Sequence, residues 1–178
     1  VDEIVGLCLG ETLADPIAII RKMMDMPQCH MHGPEHHIMV GCALLTAYAN
    51  AGGEIDLPKA LKEMVSRGSK VPGGACGFWG ACGAAVSTGM FMSIITGSTP
   101  LTNDAWGHSN LMTSRSLQKL GEIGGPRCCK RNSYMSILTA IDYVEELTGM
   151  RMHRSGITCT HMSSNSQCIG GRCPFYMK

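Results

Sequence analysis

Aromatic side chains are scarce, acids and bases nearly cancel, and no apolar run is long enough to cross a bilayer. Two Trp, four Tyr and three Phe in 178 residues give no stacking platform, and a formal net charge of +1 gives no basic stripe. Nucleic acid is therefore not expected as a partner. A membrane-spanning helix needs about 20 consecutive apolar residues. The nearest candidate, residues 81–96, is interrupted by Gly83, Ser87, Thr88, Gly89 and Ser93. It reads as a helix of small residues suited to close packing in a core, and no membrane association is expected. No segment alternates apolar and polar residues strongly enough to compete as a strand, and neither an internal repeat nor a low-complexity tract is present. The cysteine spacing is not that of a small disulfide scaffold, and no secretory leader is expected. The ten cysteines are accordingly expected as reduced thiols in a cytoplasm.

What remains is a chain of one-domain size. We read residues 1–149 as a helical domain and residues 150–178 as a Cys-rich tail packed on the same domain. The fold class expected is all-α, a compact bundle of about six helices with an irregular tail. Asp15-Pro16 opens a helix that ends near Met26. Gly33-Pro34-Glu35 opens a second, apolar on nearly every face up to Tyr48 and stopped by Gly52-Gly53. Asp56-Leu57-Pro58 precedes a surface helix over residues 59–67. Residues 71–80 hold too much glycine for regular structure and lead into the small-residue helix. A fifth helix is expected over residues 111–120, and a sixth from Gly124-Gly125-Pro126 to Gly149. The 14 methionines read as adaptable core filler.

The chemistry is concentrated in sulfur. Cys82, Cys128 and Cys129 stand where helices are expected to begin, and the unpaired N–H groups and dipole of a helix start favour a thiolate. Cys76 and Cys82 flank a Gly-rich turn and could converge on one metal, with Cys42 on the preceding helix as a third ligand or simply a small buried hydrophobe. Cys128 and Cys129 lie among Arg127, Lys130 and Arg131. Adjacent residues on a helix point about 100° apart, so the two rarely serve one site. In the tail, Cys159, Cys168 and Cys173 could fill three corners of a tetrahedral sulfur site, with Cys128 or Cys129 as the fourth. The first ligands expected are Cys76, Cys82, Cys128 and Cys129, and the tail cysteines form a second or shared site. The cofactor expected is an iron–sulfur cluster, with zinc as the alternative.

A further motif runs from Cys29 to His37. Glu35 and His36 fall in the first turn of the expected helix, and His32 could fold back toward them, so these three are candidates for proton handling or metal binding. The spacing is not that of a zinc protease, because Glu35 is misplaced between His32 and His36. Capping and solvation of the histidines is an equally good reading.

The segments Met31-His-Gly-Pro-Glu-His-His37, Val71-Pro-Gly-Gly-Ala-Cys-Gly-Phe-Trp-Gly-Ala-Cys-Gly-Ala-Ala85 and Cys168 to Phe175 together resemble a domain-of-unknown-function family. That resemblance implies anaerobic bacteria and archaea and occasional fusion to radical-SAM or methyltransferase-like proteins. Gly41-Cys42-Ala43, Cys82-Gly83-Ala84 and Cys128-Cys129 are more loosely similar to the small helical redox family named for its Cys, Gly-Cys-Ala-x-x-Gly, Cys, Cys pattern. That likeness implies electron exchange and would join Cys42 to Cys76, Cys82 and Cys128 or Cys129. The His motif, the Trp79 loop and the tail cysteines depart from it.

The function expected is an iron–sulfur redox or electron-transfer domain of an anaerobic protein. Its partner would be a redox protein or a larger enzyme, and homo-oligomerisation is compatible with it. One alternative is a thiolate and His–Glu catalytic domain for methyl or sulfur transfer, which requires the His motif and the Gly-rich loop to meet at a pocket. Another is a zinc-stabilised interaction module.

Overall fold

A computed structural model describes residues 1–177, and among these are eight α-helices and no strand. The helices are α1 (Asp2–Gly10), α2 (Pro16–Met24), α3 (His36–Asn50), α4 (Leu57–Gly68), α5 (Ala75–Phe78), α6 (Gly83–Thr96), α7 (Asp104–Ile123) and α8 (Cys129–Thr148). Two 3-10 turns, Met162–Ser164 and Gly170–Arg172, interrupt the tail. No helix among the described residues is long and apolar enough to cross a membrane.

The all-helical reading holds, but the count of about six falls short by two. Helix α1 has no side-chain cap and buries only Ile4 and Cys8, so its pattern carries little period. Helix α5 is a single turn inside the Gly-rich loop. Gly74, at φ 85°, opens it, and Phe78 N donates to Gly74 O at 3.1 Å; only glycine adopts that backbone easily. Helix α7 starts at Asp104 instead of near Leu111. Its polar first turns are compatible with a helix because Ser109 Oγ and Asn110 Nδ2 bond back to the carbonyls of Ala105 and Trp106, at 2.8 and 2.9 Å. Helix α8 begins at Cys129, leaving Gly124-Gly125-Pro126 outside as the connection from α7.

Helix α3 is the centre, buried continuously from Ile38 to Ala47, with α1, α2, α4, α6 and α8 packed around it. Helices α6 and α7 cross at Gly89, where a Cβ would meet Thr113 Oγ1 at 1.9 Å and Ser109 O at 2.9 Å. A bond of 3.0 Å between Thr88 Oγ1 and Ser116 Oγ satisfies the polar atoms buried in that crossing.

The tail has no core of its own and is tied down by named bonds. His153 N donates to Ala14 O at 2.7 Å, and Arg21 donates to Gly156 O at 2.9 Å. Ser155 bonds to Asp15, whose carboxylate also caps α2 through Ile17 N at 2.9 Å. Cys159 N donates to Phe175 O at 2.8 Å, and the Phe175 ring sits edge-on to Tyr134 of α8 with centroids 5.6 Å apart.

Candidate thiol and imidazole site

The start of α8 divides the cysteines into two groups. Cys128 is its N-cap, with Sγ accepting from Arg131 N at 3.5 Å, and Cys129 is its first helical residue. Their side chains diverge. Cys129 lines a cavity of about 170 Å³ together with Cys76, Cys82, His32, His36 and His37. Cys128 lines a separate, tighter space with the tail residues Cys159, Cys168 and Cys173. The expected quartet of Cys76, Cys82, Cys128 and Cys129 is thus parted at one peptide bond, with Cys128 joining the tail group. All ten cysteines are free.

In the first cavity each histidine is held by one ring nitrogen. His37 Nδ1 donates to Val71 O at 3.1 Å, which turns Nε2 toward the start of α6. Gly83 makes that possible: a Cβ there would lie 2.1 Å from the His37 ring. His36 Nδ1 donates to Gly33 O at 3.1 Å. His32 Nε2 donates to Asn165 Oδ1 at 3.2 Å, and its Nδ1 is buried without a partner. Burial disfavours the imidazolium in all three and lowers their pKa values, that of His36 to about 4. At neutral pH each presents a lone pair, the form in which histidine binds metal or accepts a proton. Glu35 is placed differently. Its carboxylate folds over Gly33, accepts His30 N at 2.9 Å and lies outside the cavity wall.

The helix-start argument is right about position and wrong about its effect on the thiols of α8. Burial is the larger influence: it raises the Cys128 thiol and pushes Cys129 up to about 11, outweighing the N–H groups of Arg131 and Gly33. Without a metal these two are protonated; a bound cation would take the sulfur as thiolate and release the proton. Cys82 caps α6 and receives Asn132 Nδ2 at 3.4 Å. Cys42 is in neither group. It is fully buried in the core, as is Cys8, the place of a small hydrophobe.

Around the tail cysteines, N–H groups point at sulfur. Arg131 N and Asn165 Nδ2 approach Cys128 Sγ at 3.5 and 3.6 Å, and Gly170 N approaches Cys168 Sγ at 3.4 Å. Arg131, itself buried, borders this space and is held by Gly124 O and Pro126 O at 3.1 and 3.0 Å. Buried Asn165 joins the two groups, since its oxygen accepts from His32 while its nitrogen serves Cys128.

Cys29, His37, Lys130, Asn132 and Asn165 were not singled out by sequence reasoning as site residues. The first two stand inside the His motif and Lys130 follows the cysteine pair, so proximity was a usable signal for them. The two asparagines carried none.

A profile of the family of unknown function DUF5714 matches residues 4–176. No curated protein and no solved structure matches the chain.

Proposed function

The chain belongs to this family of unknown function, and from its own geometry we propose that Cys128, Cys159, Cys168 and Cys173 hold an iron–sulfur cluster used for electron transfer. The observation that carries the reading is four free cysteines bordering one space, with N–H donors directed at the sulfurs of two of them, Cys128 and Cys168. Four cysteine sulfurs are the donor set of a cluster and of a structural zinc alike. Among the described residues no three tail-site sulfurs lie within 4.8 Å of one another, and the space they border is only about 20 Å³, so either metal requires the irregular tail to draw itself around it. A bound cluster supplies one-electron chemistry, with a potential set by charge, hydrogen bonds to sulfur and exposure. Here the buried Arg131 guanidinium offsets thiolate charge, and the donors to Cys128 and Cys168 favour the more negative state. Cys168 is exposed, which gives the site an edge where a redox protein or a larger enzyme could exchange electrons. The cytoplasm of an anaerobe is the setting that suits reduced thiols and such a cluster.

Protein purified without oxygen is expected to absorb broadly in the visible, to contain several irons per chain and to give an EPR signal on reduction. Cys159→Ser and Cys168→Ser should lose the iron. Colourless, iron-free protein prepared this way would reject the reading, and stoichiometric zinc confined to the tail would replace it with a zinc-stabilised interaction module.

One observation favours a second reading. The His motif and the Gly-rich loop do meet, with His32, His36 and His37 facing Cys76, Cys82 and Cys129 across the same cavity. There an imidazole could take the Cys82 proton while the sulfur attacks a methyl carbon or an electrophilic sulfur, whose leaving group departs with the bonding pair. Rapid, selective alkylation of Cys82 that Cys82→Ser abolishes would support it; uniform slow labelling would not.

A further inference from the structure

Beyond the tail cysteines, the structure holds a second donor set that the sequence motifs did not separate. We propose that Cys29, Glu35 and His36 form a mononuclear site for a soft divalent cation of the Zn²⁺ type, with Lys130 as the built-in competitor for that position.

The donors are assembled in advance. One ligand atom from each of the three residues lies within 4.8 Å of the other two. Cys29 Sγ is 3.9 Å from His36 Nε2. A tetrahedral zinc would place its sulfur and nitrogen about 3.5 Å apart, so the pair needs to contract by only a few tenths of an ångström. Sulfur, imidazole and carboxylate in a set of three, with a fourth position left open, is a zinc-type donor set.

The supports behind these ligands point the same way. His36 is 1% exposed, and its Nδ1–H is pinned on Gly33 O at 3.1 Å. That is the usual backing of a metal-bound imidazole, fixing the tautomer and aiming the Nε2 lone pair. Glu35 is held by His30 N at 2.9 Å and by the empty space over Gly33, where a Cβ would lie 2.0 Å from its Oε2. Gly33 therefore positions two of the three ligands, one through its carbonyl and one through its missing side chain. Of the three, His36 also lines the cavity of about 170 Å³, while Cys29 and Glu35 stand behind its wall.

Lys130 is the independent observation. It is 1% exposed, and its Nζ lies 2.9 Å from Cys29 Sγ. The buried ammonium donates to a sulfur that burial keeps as the thiol despite its presence, so this spot already places positive charge where a cation would meet Cys29. In the metal-free protein Lys130 supplies that charge. Entry of a divalent cation forms a bond to Cys29 sulfur, sends the displaced proton to water and removes the reason for Lys130 to remain. None of this depends on the tail group, whose ligands are different residues.

The test uses the full chain, stripped of metal and titrated with Zn²⁺ or with Co²⁺ as the spectroscopic probe. Wild-type protein is expected to bind one equivalent that shows a sulfur-to-cobalt charge-transfer band and is independent of the tail cysteines. Cys29→Ser and His36→Gln should weaken that equivalent by more than about tenfold while the iron content of oxygen-free preparations stays the same. Cys168→Ser should do the reverse, losing iron and keeping the cobalt band. Lys130→Met should bind the cation more tightly, a gain that a misfolded variant could not produce. The proposal is overturned if Cys29→Ser and His36→Gln keep the wild-type affinity and spectrum, or if Lys130→Met leaves the affinity unchanged.

Discussion

At Gly83 a methyl group would stand 2.1 Å from the His37 ring, and neither the ring, anchored on Val71 O at 3.1 Å, nor the helix start can give way freely. Gly83→Ala is expected to lose about 1–3 kcal/mol of stability, read from its urea midpoint, and to displace His37 from the cavity, read from its imidazole NMR shifts. His36 makes a second residue-level claim. In the unfolded chain its proton binds near the ordinary 6.5, but in the folded, metal-free chain only near 4. Between those values the unfolded state holds the extra proton, so stability is full above pH 6.5 and falls as the pH drops toward 4, by about 3 kcal/mol. His36→Gln should flatten that slope in pH-dependent denaturation; an unchanged slope would assign it elsewhere. The sequence displayed the residue types that make this chemistry, because sulfur and imidazole are visible wherever they fold. It hid the direction of the Cys128 and Cys129 shifts, since desolvation is a property of the surroundings and not of a helix start.

Among the elements, α2 shows what a cap can do beyond its own helix. Asp15 accepts Ile17 N at 2.9 Å and Ala18 N at 3.2 Å, and also binds Ser155 of the tail. Asp15→Ala is expected to cost about 1–2 kcal/mol and to raise hydrogen exchange around residues 153–156, a local effect that simple loss of helix would not produce. The elements legible in advance were those with chemical punctuation, such as Asp-Pro before α2 and Asp-Leu-Pro before α4. Helix α1 lacks a cap and most of its amphipathic contrast, and the first turns of α7 are polar, so nothing in their composition marked them. The parting of Cys128 from Cys129 was legible only as a rotation of about 100° per residue; which sulfur faced which partner depended on where α8 began.

For the molecule as a whole, the helices bury their own core while the tail is held by a few bonds and, in the proposed reading, by a metal at its cysteines. Metal removal should therefore affect the two parts unequally. A chelator is expected to leave the far-ultraviolet helical signal nearly intact while trypsin cleavage after Arg151, Arg154 and Arg172 accelerates severalfold. Loss of helix and tail protection together would mean that the metal sustains the entire fold. Helical class followed from the period of the apolar residues. The seating of residues 150–177 did not, because an irregular segment has no periodicity to read and its partners are more than a hundred residues away.

The bond between Cys128 and Cys129 has a mechanical corollary. Adjacent Cα atoms across it are about 3.8 Å apart, the fixed spacing of a trans peptide. A single inserted residue on the helix would turn one thiol by about 100° and swing it away from its companions. The two compartments are neighbours sharing a doorpost.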